Sequence, residues 1–230
     1  MSNKKTAVVL LSGGMDSSLC IAEAIEAGFT PATMHLNYGQ KTETRELKSF
    51  HDISDYYGIE KRLVSDVSYL TQIGGSSLTD DAVDIEKADL DSKEIPSSYV
   101  PFRNGNILAI AAAWAEIIGA EALYIGAVEA DSSGYPDCRR SFFDAFEEAV
   151  NLGTKPETNL KIITPIINLS KAEIVKRGTG LKLPFELTWS CYSDSEKACG
   201  VCDSCALRLR GFSEAGVVDP LEYKVRPKYD

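Results

Sequence analysis

The chain has 230 residues, 44% hydrophobic and 25% charged, with a formal net charge of −10 at pH 7. That length admits one α/β domain with a substantial core plus a small appendage, and the acidic balance argues against a broad nucleic-acid surface, which needs clustered Lys and Arg. No run approaches the ~20 apolar residues of a membrane span, and the opening Met1 to Lys5 leads into a strand too short for a signal peptide, so a cytoplasmic location is expected.

Ala7 to Leu11 reads as a fully apolar strand and Asp16 to Ala27 as a helix ending at Gly28. Between them lies Ser12-Gly13-Gly14-Met15-Asp16-Ser17-Ser18. A strand that ends in a glycine turn and opens a helix presents unpaired backbone N–H groups at the positive end of the helix dipole, which is an anion site. The run has no Walker lysine and no three-glycine dinucleotide fingerprint. Ser12, Ser17 and Ser18 add hydroxyl donors, while Asp16 either caps the helix or helps to hold a magnesium ion bridging phosphates.

Thr33 to Tyr38, entered through Pro31, is the second strand. Tyr38-Gly39-Gln40 follows it, where an aromatic ring could stack on adenine. Leu47, Phe50, Ile53 and Tyr57 share one side of a helix that stops at Gly58, and Leu63 to Val67 is a third strand. From Ser68 to Pro101 the periodicity fails, which marks either a lid or an irregular surface excursion. Pro101-Phe102-Arg103-Asn104 opens a helix that runs from Asn104 to Ile118, apolar nearly all round and therefore buried; the start is a capped helix entry or a ligand contact.

Ala122 to Val128 is a strand. Beyond it, Gly134-Tyr135-Pro136-Asp137-Cys138-Arg139 is either a turn with a capped helix or part of a ligand site at the same sheet end as the glycine loop. Asp131 and Asp137 offer carboxylates, which can pair with the N–H and amino edge of a guanine-like ring, and Arg139 offers a planar donor fork. Phe142, Phe143, Phe146, Ala149 and Val150 fall at helical spacing, Ile162 to Ile167 is a further strand, and Ser170-Lys171-Ala172-Glu173 is a capping box. Strands alternating with helices imply a mostly parallel, doubly wound sheet, with ligands beyond the carboxyl ends of its strands.

Six cysteines are not evidence for disulfides in a reducing compartment. Cys191-x7-Cys199-x2-Cys202-x2-Cys205 has the spacing of a closed tetrahedral metal site with no open position for water, hence a structural one. Zinc is favoured, with an iron–sulfur cluster as the alternative. Cys20 reads as a packing residue of the first helix. His35 and His51 are the only histidines, which argues against a histidine triad. The expected division is a nucleotide-binding α/β domain at 1–185 and a zinc-binding subdomain packed on it at 186–230.

The Ser-Gly-Gly-x-Asp-Ser run resembles the pyrophosphate-binding loop of the ATP pyrophosphatase, or PP-loop, superfamily, which implies cleavage between the α and β phosphates. Joined to Tyr38-Gly39-Gln40, Val100 to Asn104, Ser133 to Arg139, Thr188-Trp189-Ser190-Cys191-Tyr192 and the last three cysteines, it makes nearly the whole chain resemble the 7-cyano-7-deazaguanine synthase family of queuosine and archaeosine precursor synthesis. Met15 stands where Leu is usual and Phe102 where a small residue is expected; neither removes a polar group.

The resemblance implies an ATP- and magnesium-dependent carbon–nitrogen ligase that converts 7-carboxy-7-deazaguanine and ammonia to the nitrile through adenylated acid and amide intermediates. ATP is then expected at Val8, Val9, Leu10, Leu11, Ser12, Gly13, Gly14, Met15, Asp16, Ser17 and Ser18, with Ser12, Asp16 and Ser17 catalytic. The substrate is expected at Tyr38, Gln40, Arg103, Asn104, Asp131, Asp137 and Arg139, and one structural zinc at Cys191, Cys199, Cys202 and Cys205. A homodimer without nucleic acid or membrane partners is expected. Three other readings compete: a transfer-RNA-modifying thiolase or ligase, disfavoured by the net charge and the locked cysteine set; a glutamine-dependent amidotransferase, which would need a nucleophilic cysteine with a partner histidine in an extra domain; and a nucleotide-sensing module, which would bind ATP without turnover.

Overall fold

Side chains alternate along the first strand, β1 (Thr6–Leu10). Val8 and Leu10 join one apolar cluster, while Ala7, Val9 and the following Leu11 join another. All five are buried, so the strand is covered on both faces. The structure is a computed structural model that describes residues 5–80, 82–90, 94–129 and 134–229. In chain order β1 is followed by α1 (Met15–Glu26), β2 (Thr30–Asn37), α2 (Glu43–Tyr56), β3 (Arg62–Asp66) and the short α3 (Leu70–Ile73). Then come α4 (Arg103–Ile118), β4 (Ala122–Tyr124), α5 (Arg140–Gly153), β5 (Lys161–Ile163), α6 (Lys171–Gly180) and α7 (Asp203–Ala215).

The five strands form one parallel sheet in the order β3-β2-β1-β4-β5. Register is set by pairs such as Leu10 with Met34 and Val8 with Leu123. Leu108 and Ala111 of α4 and Phe143 of α5 cover one face; Ile21 of α1 and Phe50 and Ile53 of α2 cover the other. A third cluster joins Leu19 of α1, Ile174 of α6 and Phe212 of α7, so the C-terminal helix packs directly on the α/β layers. The chain winds from β1 to β2 and β3, then crosses back through α4 to β4 on the opposite side of β1. The carboxyl ends of β1 and β4 therefore diverge at a topological switch point, where a crevice opens. Among the described residues no helix is long and apolar enough to cross a membrane.

The expected doubly wound sheet is present; β2 opens at Thr30, ahead of the expected Thr33, and three further features differ from the sequence reading. The run Ala122 to Val128 pairs as a strand only to Tyr124. Its neighbour β1 ends at Leu10, and Gly126 passes so close to the start of α1 that a Cβ there would lie 2.8 Å from the Asp16 carbonyl carbon and the Ser17 nitrogen. The run from Ile162 likewise leaves the ladder after Ile163, where Thr164-Pro165 turns the chain and the Ile167 N–H donates to the Thr164 carbonyl. The third difference is α7, a 13-residue helix in what reads as a stretch of short cysteine-rich segments. Its apolar spacing, Ala206, Leu209 and Phe212, is present in the sequence but is overshadowed by the cysteines.

The irregular segment after β3 is anchored at several points. Ser76 and Ser77 are fully buried, Ser98 shares a 2.9 Å hydrogen bond with the Tyr135 hydroxyl, and the Ala88 N–H donates to the Val201 carbonyl beside the cysteines.

Candidate active site and metal centre

Gly13 adopts φ +92°, and a Cβ there would stand 2.8 Å from both the Glu46 carbonyl oxygen and the Ser49 Cβ. Glycine at this position lets the loop turn sharply between β1 and α1 while lying flat on α2. Gly14 is the N-cap of α1 with no side-chain cap, so the first N–H groups of that helix face the crevice unclaimed by the protein's own side chains. The Ser17 and Ser18 hydroxyls donate back to the Gly14 carbonyl at 3.0 and 2.8 Å, and Ser12 Oγ lies 3.0 Å from Ser17 Oγ. The loop is thereby held before any ligand arrives.

Beyond it lies a cavity of about 290 Å³ lined by the ends of β1, β2 and β4, the start of α4, and the segment at Trp189. Leu10, Leu11, Ser12, Gly14, Met15, Asp16 and Ser17 line it. Val8 and Val9 lie inside the sheet, while Gly13 and Ser18 support the loop from beneath. Tyr38, Arg103 and Asn104 also line the cavity; Gln40 sits behind Tyr38 and accepts its backbone N–H at 2.9 Å.

Asp137 is buried away from the cavity, its Oδ2 accepting the Asn104 N–H at 2.9 Å at the start of α4. Arg139 is exposed at the N-cap of α5, off the cavity lining. Two arginines line the cavity: Arg208, whose guanidinium is taken up by Asp219, and Arg103, which donates to the Tyr38 hydroxyl at 3.1 Å and lies over its ring. Asp131 falls outside the described residues.

A lysine absent from the loop itself stands beside it, Lys171. It is the first residue of α6, lines the same cavity, and its Nζ lies 2.6 Å from Asp16 Oδ2. The other oxygen, Asp16 Oδ1, is buried and has no hydrogen-bond partner among the described residues. The sequence reading took Lys171 as the second member of a capping box, and that box is present: Ser170 caps the helix and Glu173 reaches back to it. One signal was available. A lysine in the first turn meets the unfavourable end of the helix dipole, so its placement there calls for another purpose.

Glu46 of α2 is another unanticipated residue of the cavity lining. Its Oε1 accepts from Thr42 Oγ1 at 2.7 Å and its Oε2 from Gln40 Nε2 at 3.2 Å. Burial pushes the Glu46 carboxyl above its usual range, those two hydrogen bonds and Arg103 opposing it. Trp189 closes the glycine-loop side: its backbone N–H donates to the Gly13 carbonyl at 2.8 Å, and the Arg45 guanidinium stacks 4.4 Å from its ring centroid.

The four sulfurs of Cys191, Cys199, Cys202 and Cys205 all lie within 4.8 Å of one another, with Cys199 and Cys205 3.9 Å apart. Metal–sulfur bonds of ~2.3 Å set tetrahedral edges of about 3.8 Å, so the cluster could bind a metal. Backbone N–H groups of Val201 and Cys202 point at Cys199 Sγ at 3.4 Å each, and that of Cys199 at Cys191 Sγ at 3.3 Å. Such donors favour the thiolate form that a metal requires.

A parallel α/β sheet, a glycine loop at its switch point and a C-terminal cysteine cluster together define a protein of the PP-loop type. The solved structure of a predicted subunit of a tRNA methyltransferase from Methanocaldococcus jannaschii shares this fold, with TM-score 0.50 at 15% identity, covering 76% of this chain and 74% of the other. The chain belongs to the queuosine biosynthesis protein QueC family, whose model matches residues 6–216. It is 59% identical over 223 residues to the 7-cyano-7-deazaguanine synthase of Chlorobaculum parvum, covering 97% of this chain and 98% of that one. The 7-cyano-7-deazaguanine synthase of Chloroherpeton thalassium is 58% identical, with 97% and 99% covered.

Proposed function

We propose that this protein is an ATP-dependent carbon–nitrogen ligase that makes 7-cyano-7-deazaguanine from 7-carboxy-7-deazaguanine and ammonia. The observation that carries this is the Asp16–Lys171 pair set against the Ser12 to Ser18 loop in one cavity. It provides anion-binding N–H groups, a cation and a carboxylate where a triphosphate would lie.

In the proposed course a carboxylate oxygen of the acid attacks the α-phosphorus of ATP, and the α–β bond breaks to release pyrophosphate. Ammonia adds to the acyl carbon of the mixed anhydride, loses a proton and expels AMP, leaving the amide. The amide oxygen attacks a second ATP, again releasing pyrophosphate, and loss of AMP with the remaining N–H protons gives the nitrile. Each oxygen thus departs on an AMP, so the protein needs no strong acid or base of its own. Its task is positioning and charge stabilisation. The α1 N–H groups, Ser12 and Ser17 hold the departing pyrophosphate, and Lys171 offsets its growing charge.

The unpartnered Asp16 Oδ1, with the neighbouring serine hydroxyls, suits a hard divalent cation such as magnesium, which would neutralise the phosphates. Arg103 is the cavity guanidinium suited to an oxygen of the acid. Four thiolates without a vacant position suit zinc in a structural role. The test is incubation with the acid, ATP, magnesium and ammonium, followed by mass spectrometry. Nitrile with two AMP formed per product is expected; ADP as the direct product, or no turnover, defeats the reading.

A further inference from the structure

We infer that Glu46 is the residue that selects a guanine-type ring, by accepting both the ring N–H and the exocyclic amino group of the deazapurine acid; this rests on the function proposed above. Glu46 lines the cavity, and its two oxygens already accept one hydrogen bond each, from Thr42 and from Gln40. A carboxylate oxygen has two lone pairs, so one acceptor position remains on each oxygen. Two parallel acceptors match an edge that offers two parallel donors, as the N–H and amino group of a guanine-type ring do. An adenine edge offers one donor and one acceptor and is mismatched to a carboxylate.

The supports of Glu46 hold this arrangement in place. Gln40 cannot turn over without breaking its other bond, because its Oε1 accepts the Tyr38 N–H at 2.9 Å. The Tyr38 hydroxyl accepts in turn from Arg103 at 3.1 Å. A continuous chain, Arg103–Tyr38–Gln40–Glu46, therefore fixes a cation and an acceptor pair in one cavity. The acid presents oxygens and a two-donor edge on one ring system, and the two ends of this chain are complementary to them. Glu46 is half-buried, so an edge that leaves its remaining acceptor positions unmatched costs more there than on the open surface. Because both acceptors belong to one side chain, a single substitution can spoil the match without removing volume.

Glu46→Gln does so, by turning one acceptor into a donor. The Thr42 hydroxyl can rotate to accept from the new amide, so the internal contacts survive. The test is steady-state pyrophosphate release by the full-length, metal-loaded protein, with KM determined separately for the acid and for ATP. The parent acid is compared with an analogue lacking the exocyclic amino group. Wild type should show a KM for the analogue about 10- to 100-fold above that for the parent acid. Glu46→Gln should raise the KM of the parent acid by a similar factor, cease to distinguish the two, and leave the KM for ATP and the kcat at saturating acid nearly unchanged.

An unchanged KM for the acid in Glu46→Gln, or equal use of both acids by wild type, overturns the assignment while leaving the proposed activity standing. A KM for ATP that rises in parallel also overturns it, by placing Glu46 on the nucleotide. Absence of pyrophosphate release by wild type overturns the proposed activity and this assignment together. Zinc content equal to wild type and a melting temperature no lower than wild type exclude a folding defect in the variant, and the wild-type comparison of the two acids decides the matter without it.

Discussion

Lys171 Nζ and Asp16 Oδ2 meet at 2.6 Å across 155 residues of sequence. Both side chains are largely shielded, Lys171 to 12% exposure and Asp16 to 28%, so the pair is set into the cavity wall rather than dangling on the surface. A pair that can open toward a phosphate chain stabilises the charge that develops there more than it stabilises the resting protein. Lys171→Met is expected to lower kcat for pyrophosphate release by ~10²–10³-fold, the scale of losing one preorganised stabiliser. The melting temperature should shift little, because the Ser170–Glu173 capping box that starts α6 is untouched. Wild-type kcat in this variant would mean that the lysine serves only to hold α6 against α1.

The cysteine cluster is linked to the glycine loop through Trp189, two residues before Cys191: the Trp189 backbone N–H donates to the Gly13 carbonyl. Loss of a metal ligand should therefore be felt twice. Cys202→Ser is expected to abolish stoichiometric zinc and to lower the melting temperature sharply, since metal binding and folding are coupled in such knots. What remains folded should bind ATP more weakly, because Trp189 and its stacked Arg45 lose their support. Elemental analysis and ATP titration on the same preparation check both parts; a metal-free protein with wild-type melting and ATP affinity contradicts this account.

The sheet and its glycine loop were legible because they depend on local pattern: the apolar runs of β1 and β2, the glycine turn at Gly13, and the serines that follow. The four cysteines were legible by spacing. Other features were not, since they arise from packing between distant segments. Nothing local tells that Lys171 lies beside Asp16, or that Glu46, on an amphipathic helix otherwise ordinary, turns toward the cavity. Arg139 and Arg103 show the same limit from the other side. Both sit at helix starts, Arg103 as the first residue of α4 and Arg139 at the N-cap of α5, yet Arg139 is exposed while Arg103 lines the cavity. Strand lengths were overestimated where hydrophobicity continued past the last available pairing partner, as at Ile125 to Val128.

Arg208 and Asp219 form a fully enclosed ion pair, with Nε to Oδ2 at 2.8 Å and a second bond from Nη2 to Oδ1 at 2.9 Å. Thr188, the Phe185 carbonyl and the Tyr223 hydroxyl complete the network. Removing one partner strands the other without water, which typically costs ~3–5 kcal/mol. Asp219→Asn is thus expected to destabilise strongly in chemical denaturation at neutral pH. Burial alone would raise the Asp219 carboxyl, but Arg208 and Tyr223 hold it below its usual value. A depressed folded-state pKa adds stability above the unfolded value of ~3.9, and that stability is lost as pH falls through the folded value. The gap between wild type and Asp219→Asn should accordingly be full at pH 7 and narrow only below about pH 4; a constant gap down to pH 2 would assign the loss to packing alone.

Glu46 carries the opposite sign. Burial raises its pKa above 4.5, opposed by Thr42, Gln40 and Arg103 and assisted by the like charge of Glu43. A carboxyl whose folded pKa is raised contributes stability below its unfolded value and loses it as pH climbs through the folded one. At neutral pH the ionised Glu46 is therefore a cost to the ligand-free protein, retained at a position where a substrate can repay it. Glu46→Gln removes the charge while the Thr42 hydroxyl re-pairs with the new amide, so it should raise the melting temperature at pH 7.5. A gain of about 2–4 °C is the response of a chain this size to ~1 kcal/mol. The gain should shrink as pH falls through the raised folded-state value, where the wild-type carboxyl takes up its proton. The substrate acid should stabilise wild type more than the variant, reversing their order at saturation. Thermal melts at both pH values, with and without the acid, measure all of this; a Glu46→Gln protein less stable than wild type at pH 7.5 would show that the carboxylate is a structural bond acceptor rather than a site held ready for a ligand.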